Sequence, residues 1–420
     1  MRPIPPLLAS AAAALKQLLN PQGPADALLR AFFRDHPNLG ARDRAFIADA
    51  CYGVLRHLYS LRELAGDAGA RGLVLAYLSR WGGQSLRDLE TCLRGDEGEW
   101  LASLKMRREA ELPFYARAEL PPWVIERLQS GMAEEEVLAL GRSLQQPAPM
   151  DLRVNTLLAK RDEVLRRLAA DGIEAEPTPW SPVGVRLRDK PAINRHPLYL
   201  EGKVEVQDEG SQLLGFLAAP RRGEMVVDFC AGAGGKTLLM GALMQTHGRL
   251  YAFDVSERRL AGLRPRLKRS GLSNVHPQRI DGENDAKVKR LAGKIDRVLV
   301  DAPCSGLGTL RRNPDFKIRQ TPETVCELAE KQAAILEGAA RLAKPGGRLV
   351  YATCSFLPQE NEAIVEGFLA RQPEFVLLDC GELLTAQKIT LDGGEFLRLL
   401  PHTHGCDGFF AAAFTRRAGH

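Results

Sequence analysis

The chain has 420 residues, 45% of them hydrophobic and 26% charged, the balance of an ordinary soluble globular protein. The length suits two or three domains, and the composition excludes a disordered chain, a collagen-like chain and a small disulfide scaffold. The net charge of +5 lies wholly beyond residue 145, since residues 1–145 hold 18 basic and 18 acidic side chains and residues 146–420 hold 39 and 34; this mild excess points only weakly to a polyanion partner.

Residues 1–145 read as helix throughout. The apolar run 7–15 is too short to span a bilayer. With Pro5 and Pro6 before it and Lys16 after it, it fits a helical stripe better than a secretory leader. Phe46, Ala50, Val54 and Leu58, flanked by Ile47, Cys51 and Leu55, recur at helical spacing. Pro121-Pro122-Trp123 opens a further helix, and 145–149 looks like a linker. The eight cysteines form no CxxC pair and match no zinc template, so no metal is expected. Thiols spread in this way suit a reducing compartment, and the cytoplasm is the expected location.

Residues 146–222 change character. Strands are predicted at 151–155 and 183–187, a helix at 161–171 ending on Gly172, and a turn around Trp180, which together make a small α/β module. From 223 onward apolar strands at 225–230, 249–254, 276–281, 297–301, 348–353 and 375–379 alternate with helices at 236–245, 257–270, 322–343 and 360–371. Such alternation predicts a doubly wound, Rossmann-like α/β domain, a parallel sheet covered on both faces. A last strand at 408–415 follows 375–379 with no convincing helix between, which suggests an antiparallel pair finishing the sheet. Pro265 is a misfit inside a helix and predicts a kink or a late start. The expected domains are therefore 1–145, 146–222 and 223–420.

The turn after the first of these strands reads Asp228-Phe229-Cys230-Ala231-Gly232-Ala233-Gly234-Gly235-Lys236-Thr237. Glycines there let backbone approach a ligand, and the helix that follows offers free N–H groups. A phosphate loop would need glycine at the position of Cys230, and a dinucleotide fingerprint would need GxGxxG. A third reading is the adenosylmethionine loop of a doubly wound methyltransferase. Asp254 then suits ribose hydroxyls, Asp281 the adenine amino group, and Asp301 ends the fourth strand. A nicotinamide cofactor stays open at this point.

Cys304, in Asp301-Ala302-Pro303-Cys304-Ser305-Gly306, and Cys354, in Thr353-Cys354-Ser355, end two successive strands and should border one crevice. Two thiols beside a methyl donor suit methylation of a pyrimidine at carbon 5. A thiolate added to carbon 6 makes carbon 5 nucleophilic. Asp301 can stabilise charge on the ring during addition, and the second thiol can assist release. Physics alone does not say which cysteine attacks. A disulfide between the two would not suit a reducing compartment.

These segments resemble a family. Asp228–Thr237, 301–308 with 311–317, and the run ATCSFLPQENE at 352–362 resemble the signature segments of RNA cytosine-5 methyltransferases, closest to the bacterial 16S ribosomal RNA type (the RsmB/Sun/Fmu group). The run Gln207-Asp208-Glu209-Gly210-Ser211-Gln212 is also similar. Asp43-Arg44-Ala45-Phe46 with Tyr52-Gly53-Val54-Leu55-Arg56 resembles the NusB-like helical domain of those enzymes. The resemblance implies Cys354 as nucleophile and Cys304 as the thiol that assists product release. It implies S-adenosylmethionine contacts at Cys230, Ala231, Gly232, Ala233, Gly234, Gly235, Lys236, Asp254, Asp281 and Asp301. One departure stands out: the family carries Ala-Pro where this chain has Gly232-Ala233, and losing the proline should loosen the loop.

For RNA, Arg311, Arg312 and Lys317 adjoin the Cys304 loop and are the expected phosphate contacts. Other basic clusters are 186–195, 264–269 and 287–290. The expected enzyme transfers methyl to carbon 5 of a cytosine in 16S ribosomal RNA, alone or in an assembling particle. It is expected to act as a monomer and to bind no membrane. The alternatives are transfer RNA or DNA as substrate, or a non-catalytic RNA-binding assembly factor.

Overall fold

A computed structural model of the chain describes residues 3–391 and 393–418. The chain forms two compact units. One comprises the residues up to Pro147 together with Thr309–Pro322, and the other comprises Ala148–Gly308 and the residues from Glu323 onward.

The first unit is helical, as its periodicity predicts. Its longer helices are Pro5–Leu19, Ala25–Asp35, Ala41–Arg56, Ala70–Arg80, Glu97–Met106 and Glu134–Gln145. Leu8, Leu15, Ile47, Val54, Leu55, Leu58, Leu61 and Val74 are wholly buried in one core, so the stripe read from the sequence is the packed face. Thr309–Pro322 departs from the linear division expected at 145 and 222. It is a loop with one short helical turn, Phe316–Arg319, and Ile318 packs on the helical core.

Lys317 anchors that segment. Its ammonium lies 3.1 Å from a carboxylate oxygen of Glu119, with side chains 2% and 1% exposed, and it donates to the Arg56 carbonyl at 2.6 Å. Glu119 also accepts the backbone N–H groups of Tyr59 at 3.1 Å and Ser60 at 2.8 Å. The expectation that Arg311 and Lys317 meet RNA phosphates is therefore corrected. Arg311 is 5% exposed and Lys317 4%, and a phosphate needs a cation at the surface. The charges were legible in the sequence, but the carboxylate that neutralises one of them, 198 residues away, was not.

The second unit holds two sheets. The smaller is antiparallel, in the order β2-β3-β1-β4, from β1 (Met150–Val154), β2 (Ala175–Pro177), β3 (Gly184–Leu187) and β4 (Val204–Val206). The larger contains β5 (Met225–Asp228), β6 (Arg249–Asp254), β7 (Val275–Arg279), β8 (Ile295–Asp301), β9 (Ala343–Thr353), β10 (Phe375–Leu378), β11 (Phe396–Leu399) and β12 (Phe409–Arg416). Its order is β10-β12-β9-β8-β5-β6-β7, with β11 also on β12. Strands β7, β6, β5, β8 and β9 are mutually parallel, and β12 enters antiparallel between β9 and β10. The strand order turns around β5, and such a switch point opens a crevice at the carboxyl ends of the strands.

Two local expectations change. The connection from β10 to β12 does contain structure, a helix at Cys380–Thr385 and strand β11. Both are too short for a clear period. The helix Glu257–Ser270 runs through Pro265 without a late start. Pro265 and Ala261, whose carbonyl loses its partner, both face solvent, so the unpaired carbonyl is not buried and the helix need not break there.

Candidate active site

The glycine turn runs from β5 into the helix Gly235–Leu243. Gly234 has φ +80, and a Cβ there would lie 2.1 Å from a Leu263 methyl, so both conformation and space require glycine. Gly232 has φ +56 with nothing within 4 Å of a Cβ position, which leaves that part of the turn open. Its N–H donates to Asp254 Oδ2 at 2.8 Å, and Ser256 N–H donates to Asp254 Oδ1 at 2.7 Å. Asp254 is 4% exposed, so it braces the turn as well as ending β6. Ala231 is buried. The Cys230 thiol is pushed up by burial and then by the Asp301, Asp228 and Asp254 carboxylates, which keeps it protonated. Asp281 lies two residues beyond β7, 81% exposed, paired with Arg279 at 3.0 Å.

Arginines grip the turn from outside. Arg266 Nη1 donates to the Ala233 carbonyl at 2.6 Å, while its other nitrogens bind Glu205 of β4 at 3.0 and 2.8 Å. Arg153 of β1, buried, donates to the Gly235 carbonyl and to Gln207. Arg269 also closes on Glu205 at 2.6 Å. Two residues of the basic run 264–269 thus pair with Glu205. The Ala233 and Gly235 carbonyls are held on both sides of Gly234, and this bracing stands where the resembling family has a proline. Arg266→Met is expected to weaken S-adenosylmethionine binding about tenfold, or ~1.4 kcal/mol. Calorimetric titration checks this, with kcat at saturating donor unchanged.

Asp228 is the buried polar group of the turn. Its Oδ2 accepts the Thr237 hydroxyl at 2.6 Å, and its Oδ1 is buried without a partner. Burial first, and then the Asp301 charge, push its carboxyl up to about 7, against an ordinary value near ~3.9. An unsatisfied buried acceptor at a glycine cradle fits a cationic ligand, and S-adenosylmethionine carries a sulfonium and an ammonium. Between about pH 4 and 7 the folded protein holds a proton that the unfolded chain has released, so this group's contribution to stability falls as pH rises through that window. Ligand affinity runs the other way. It is expected to rise as pH climbs through 7, and Asp228→Asn should flatten the profile measured by titration calorimetry.

Lys236 Nζ lies 2.6 Å from Asp301 Oδ2, with its side chain 10% exposed. Burial opposes its charge, but Asp301 and Asp228 outweigh that and raise its pKa. Cys304 and Cys354 follow β8 and β9, and their sulfurs are 3.3 Å apart. Cys354 N–H points at Cys304 Sγ, also at 3.3 Å. The Cys304 thiol is held well above the ordinary range by its hydrogen bond to Cys354, by burial, and by the Cys354 and Glu360 charges. Gly308 N–H donates to the Cys354 carbonyl at 2.9 Å, and Gly408 N–H to the Gly308 carbonyl at 2.8 Å. A Cβ on Gly308 would lie 2.2 Å from the Gly408 carbonyl oxygen, so two glycines permit this close approach.

The structure thus brings together Cys304, Cys354, Asp301, Lys236, Asp228, Asp254 and the glycine turn. Among the described residues no group of three or more His, Cys, Asp or Glu could hold a metal ion, and no helix is long and apolar enough to cross a membrane. Sequence reasoning missed the bracing groups. Arg153 and Glu205 lie outside the glycine turn, and Glu360 and Asn361 sat in a recognised run without an assigned role.

A Rossmann-like sheet, a braced glycine turn and acids at its strand ends define an S-adenosylmethionine-dependent methyltransferase. Residues 216–415 match the family described as 16S rRNA methyltransferase RsmB/F, and residues 120–194 match its ferredoxin-like domain. A Synechocystis protein named probable ribosomal RNA small subunit methyltransferase B is 33% identical over 412 residues, covering 90% of this chain and 92% of its own. The crystal structure of PH0851 superposes with a TM-score of 0.79 at 26% identity, over 99% of this chain and 100% of that one. NSun6 from Pyrococcus horikoshii with SFG, at 20% identity and a TM-score of 0.63, covers 71% of this chain and 99% of its own and shares the fold. The chain belongs to the RsmB/F family of 16S ribosomal RNA methyltransferases. Its N-terminal helices are consistent with a NusB-like domain.

Proposed function

We propose that the chain methylates carbon 5 of a cytosine in 16S ribosomal RNA through a transient bond between Cys354 and carbon 6. The observation that carries this is the pair of thiols 3.3 Å apart at the ends of β8 and β9, beside Asp301 and the glycine turn. A single thiol suffices for addition, whereas a second one in contact suits release. S-adenosylmethionine, when bound, supplies the electrophilic methyl. The resemblance of the Thr353-Cys354-Ser355 segment gives the attack to Cys354, and Cys304, in contact with it, is left to exchange protons. Asp301, with Lys236 as counter-ion, steadies charge on the ring as carbon 6 is attacked. Cys304 then assists loss of the carbon 5 proton and departure of Cys354. The target base has to leave its stack to reach this crevice.

Arg312 and the outward-facing Arg264 and Lys268 are the proposed phosphate contacts, and Asp254 and Asp281 the proposed partners of ribose and adenine. The relatives' names support ribosomal RNA as substrate, and the bacterial cytoplasm is the place of action. The test offers labelled methyl donor with 16S RNA, transfer RNA and DNA side by side, followed by nucleoside chromatography. Label in 5-methylcytidine from 16S RNA alone is expected. Label from transfer RNA alone keeps the chemistry and overturns the substrate. Donor binding without label in any nucleic acid favours a binding role.

A further inference from the structure

Glu360 and Asn361 follow β9 on a short helical turn and are wholly or almost wholly buried, at 0% and 3% exposure. Asn361 holds the backbone around Cys354. Its Oδ1 accepts the Thr353 hydroxyl at 2.6 Å, and its Nδ2 donates to the Ser355 carbonyl at 3.0 Å. Glu360 holds the backbone around Cys304. Its Oε1 accepts Ser305 N–H at 2.7 Å, and its Oε2 accepts the Ser305 hydroxyl at 2.5 Å. Gln332 completes the grip, donating from Nε2 to Glu360 Oε1 and to the Pro303 carbonyl, both at 2.9 Å. The Tyr351 hydroxyl fixes the turn itself, donating to the Glu360 carbonyl at 2.6 Å. Thus the residues flanking one cysteine are tied to Glu360 and Gln332, and those flanking the other are tied to Asn361, one peptide bond away.

A buried carboxylate is costly unless its lone pairs are filled. Here three donors fill them, all from the Cys304 loop and the helix Pro322–Ala340 that backs it. An apolar side chain would fill the same space without that cost but could not fix the Ser305 backbone. We propose that Glu360 and Asn361 are positioning residues that lock the two cysteine loops to each other and so hold the thiols in contact. Asn361 sets the Cys354 side and Glu360, through Ser305 and Gln332, the Cys304 side. The chemical purpose of that contact rests on the covalent mechanism proposed above, whereas the positioning itself does not.

Glu360→Gln keeps the volume and replaces one acceptor by a donor that faces donors. The first readout needs no RNA. Glutathione disulfide oxidises the Cys304–Cys354 pair, two thiols giving one disulfide, two electrons and two protons, and the disulfide is reduced to two glutathiones. The linked peptide, quantified by mass spectrometry in buffers of stated glutathione ratio, reports the effective concentration of one thiol at the other. That concentration is expected to fall about tenfold or more in Glu360→Gln, and kcat with it, since small misplacements of reacting groups are expensive. KM for donor and RNA should stay within about twofold, because neither binding surface is touched. Unchanged thiol pairing and unchanged kcat in a folded Glu360→Gln protein would overturn the proposal. If that variant does not fold, Glu360→Asp and Asn361→Asp take its place. Each keeps a polar group near the loops, and each must still lower the effective concentration. Wild-type protein that forms no adduct with 5-fluorocytidine RNA, while the redox effect persists, would sink the covalent reading and leave the positioning intact.

Discussion

Cys304→Ala is expected to leave the enzyme bonded to its RNA. With Cys354 intact, addition to carbon 6 and methyl transfer proceed, but the carbon 5 proton and the enzyme sulfur leave slowly. A denaturing gel should therefore show a shifted protein–RNA band that wild type forms only in trace amounts. Cys354→Ala should show no such band, and its turnover should fall roughly a thousandfold or more, the usual scale for loss of an attacking nucleophile. The two sulfurs are 3.3 Å apart, so the variants differ by one atom in nearly one place and yet give opposite gels. If Cys304→Ala abolishes the band and Cys354→Ala keeps it, the roles are reversed and a DNA-type mechanism applies.

Lys317→Met carries the largest expected effect on stability. Removing one partner of a buried pair leaves an uncompensated charge, at a cost of about 3–5 kcal/mol. Glu119 would keep its two backbone donors at Tyr59 and Ser60 but lose the ammonium. Lys317 itself is disfavoured as a cation by burial, and Glu119 supports its charge, so the pair stands or falls together. Denaturant unfolding followed by Trp81 and Trp100 fluorescence should show the helical unit melting earlier, with the donor affinity of the other unit retained. A Lys317→Met/Glu119→Gln double variant should recover part of the loss, since no unpaired charge remains.

Most of the fold was legible because its signals are periodic or local. Three of the five parallel strands, β5, β6 and β8, end in acids, and the strands alternate with helices, so the larger sheet could be read along the chain. What escaped depends on distant partners. Lys317 read as an exposed cation because Glu119, the carboxylate that buries it, lies 198 residues away. Arg266 read as part of a basic helix face until Glu205, 61 residues earlier, turned it inward. Pro265 read as a break because burial on the opposite side of its helix is invisible to propensity. Within the active site, glycines and cysteines announced themselves by type and context. Glu360 and Asn361 did not, since their importance lies in what they hold.

The interleaving of the two units also has a consequence for synthesis. Glu119 leaves the ribosome 198 residues before Lys317, which at 5–20 residues per second is roughly 10–40 s. During that interval the nascent helical unit carries a carboxylate awaiting its cation and a gap where Ile318 will pack. It can be completed only after β8 and the Cys304 loop have been translated. A chain broken off early therefore exposes an unfinished core to proteolysis. The N-terminal unit, although made first, is the one whose stability certifies that the Cys304 loop has been made.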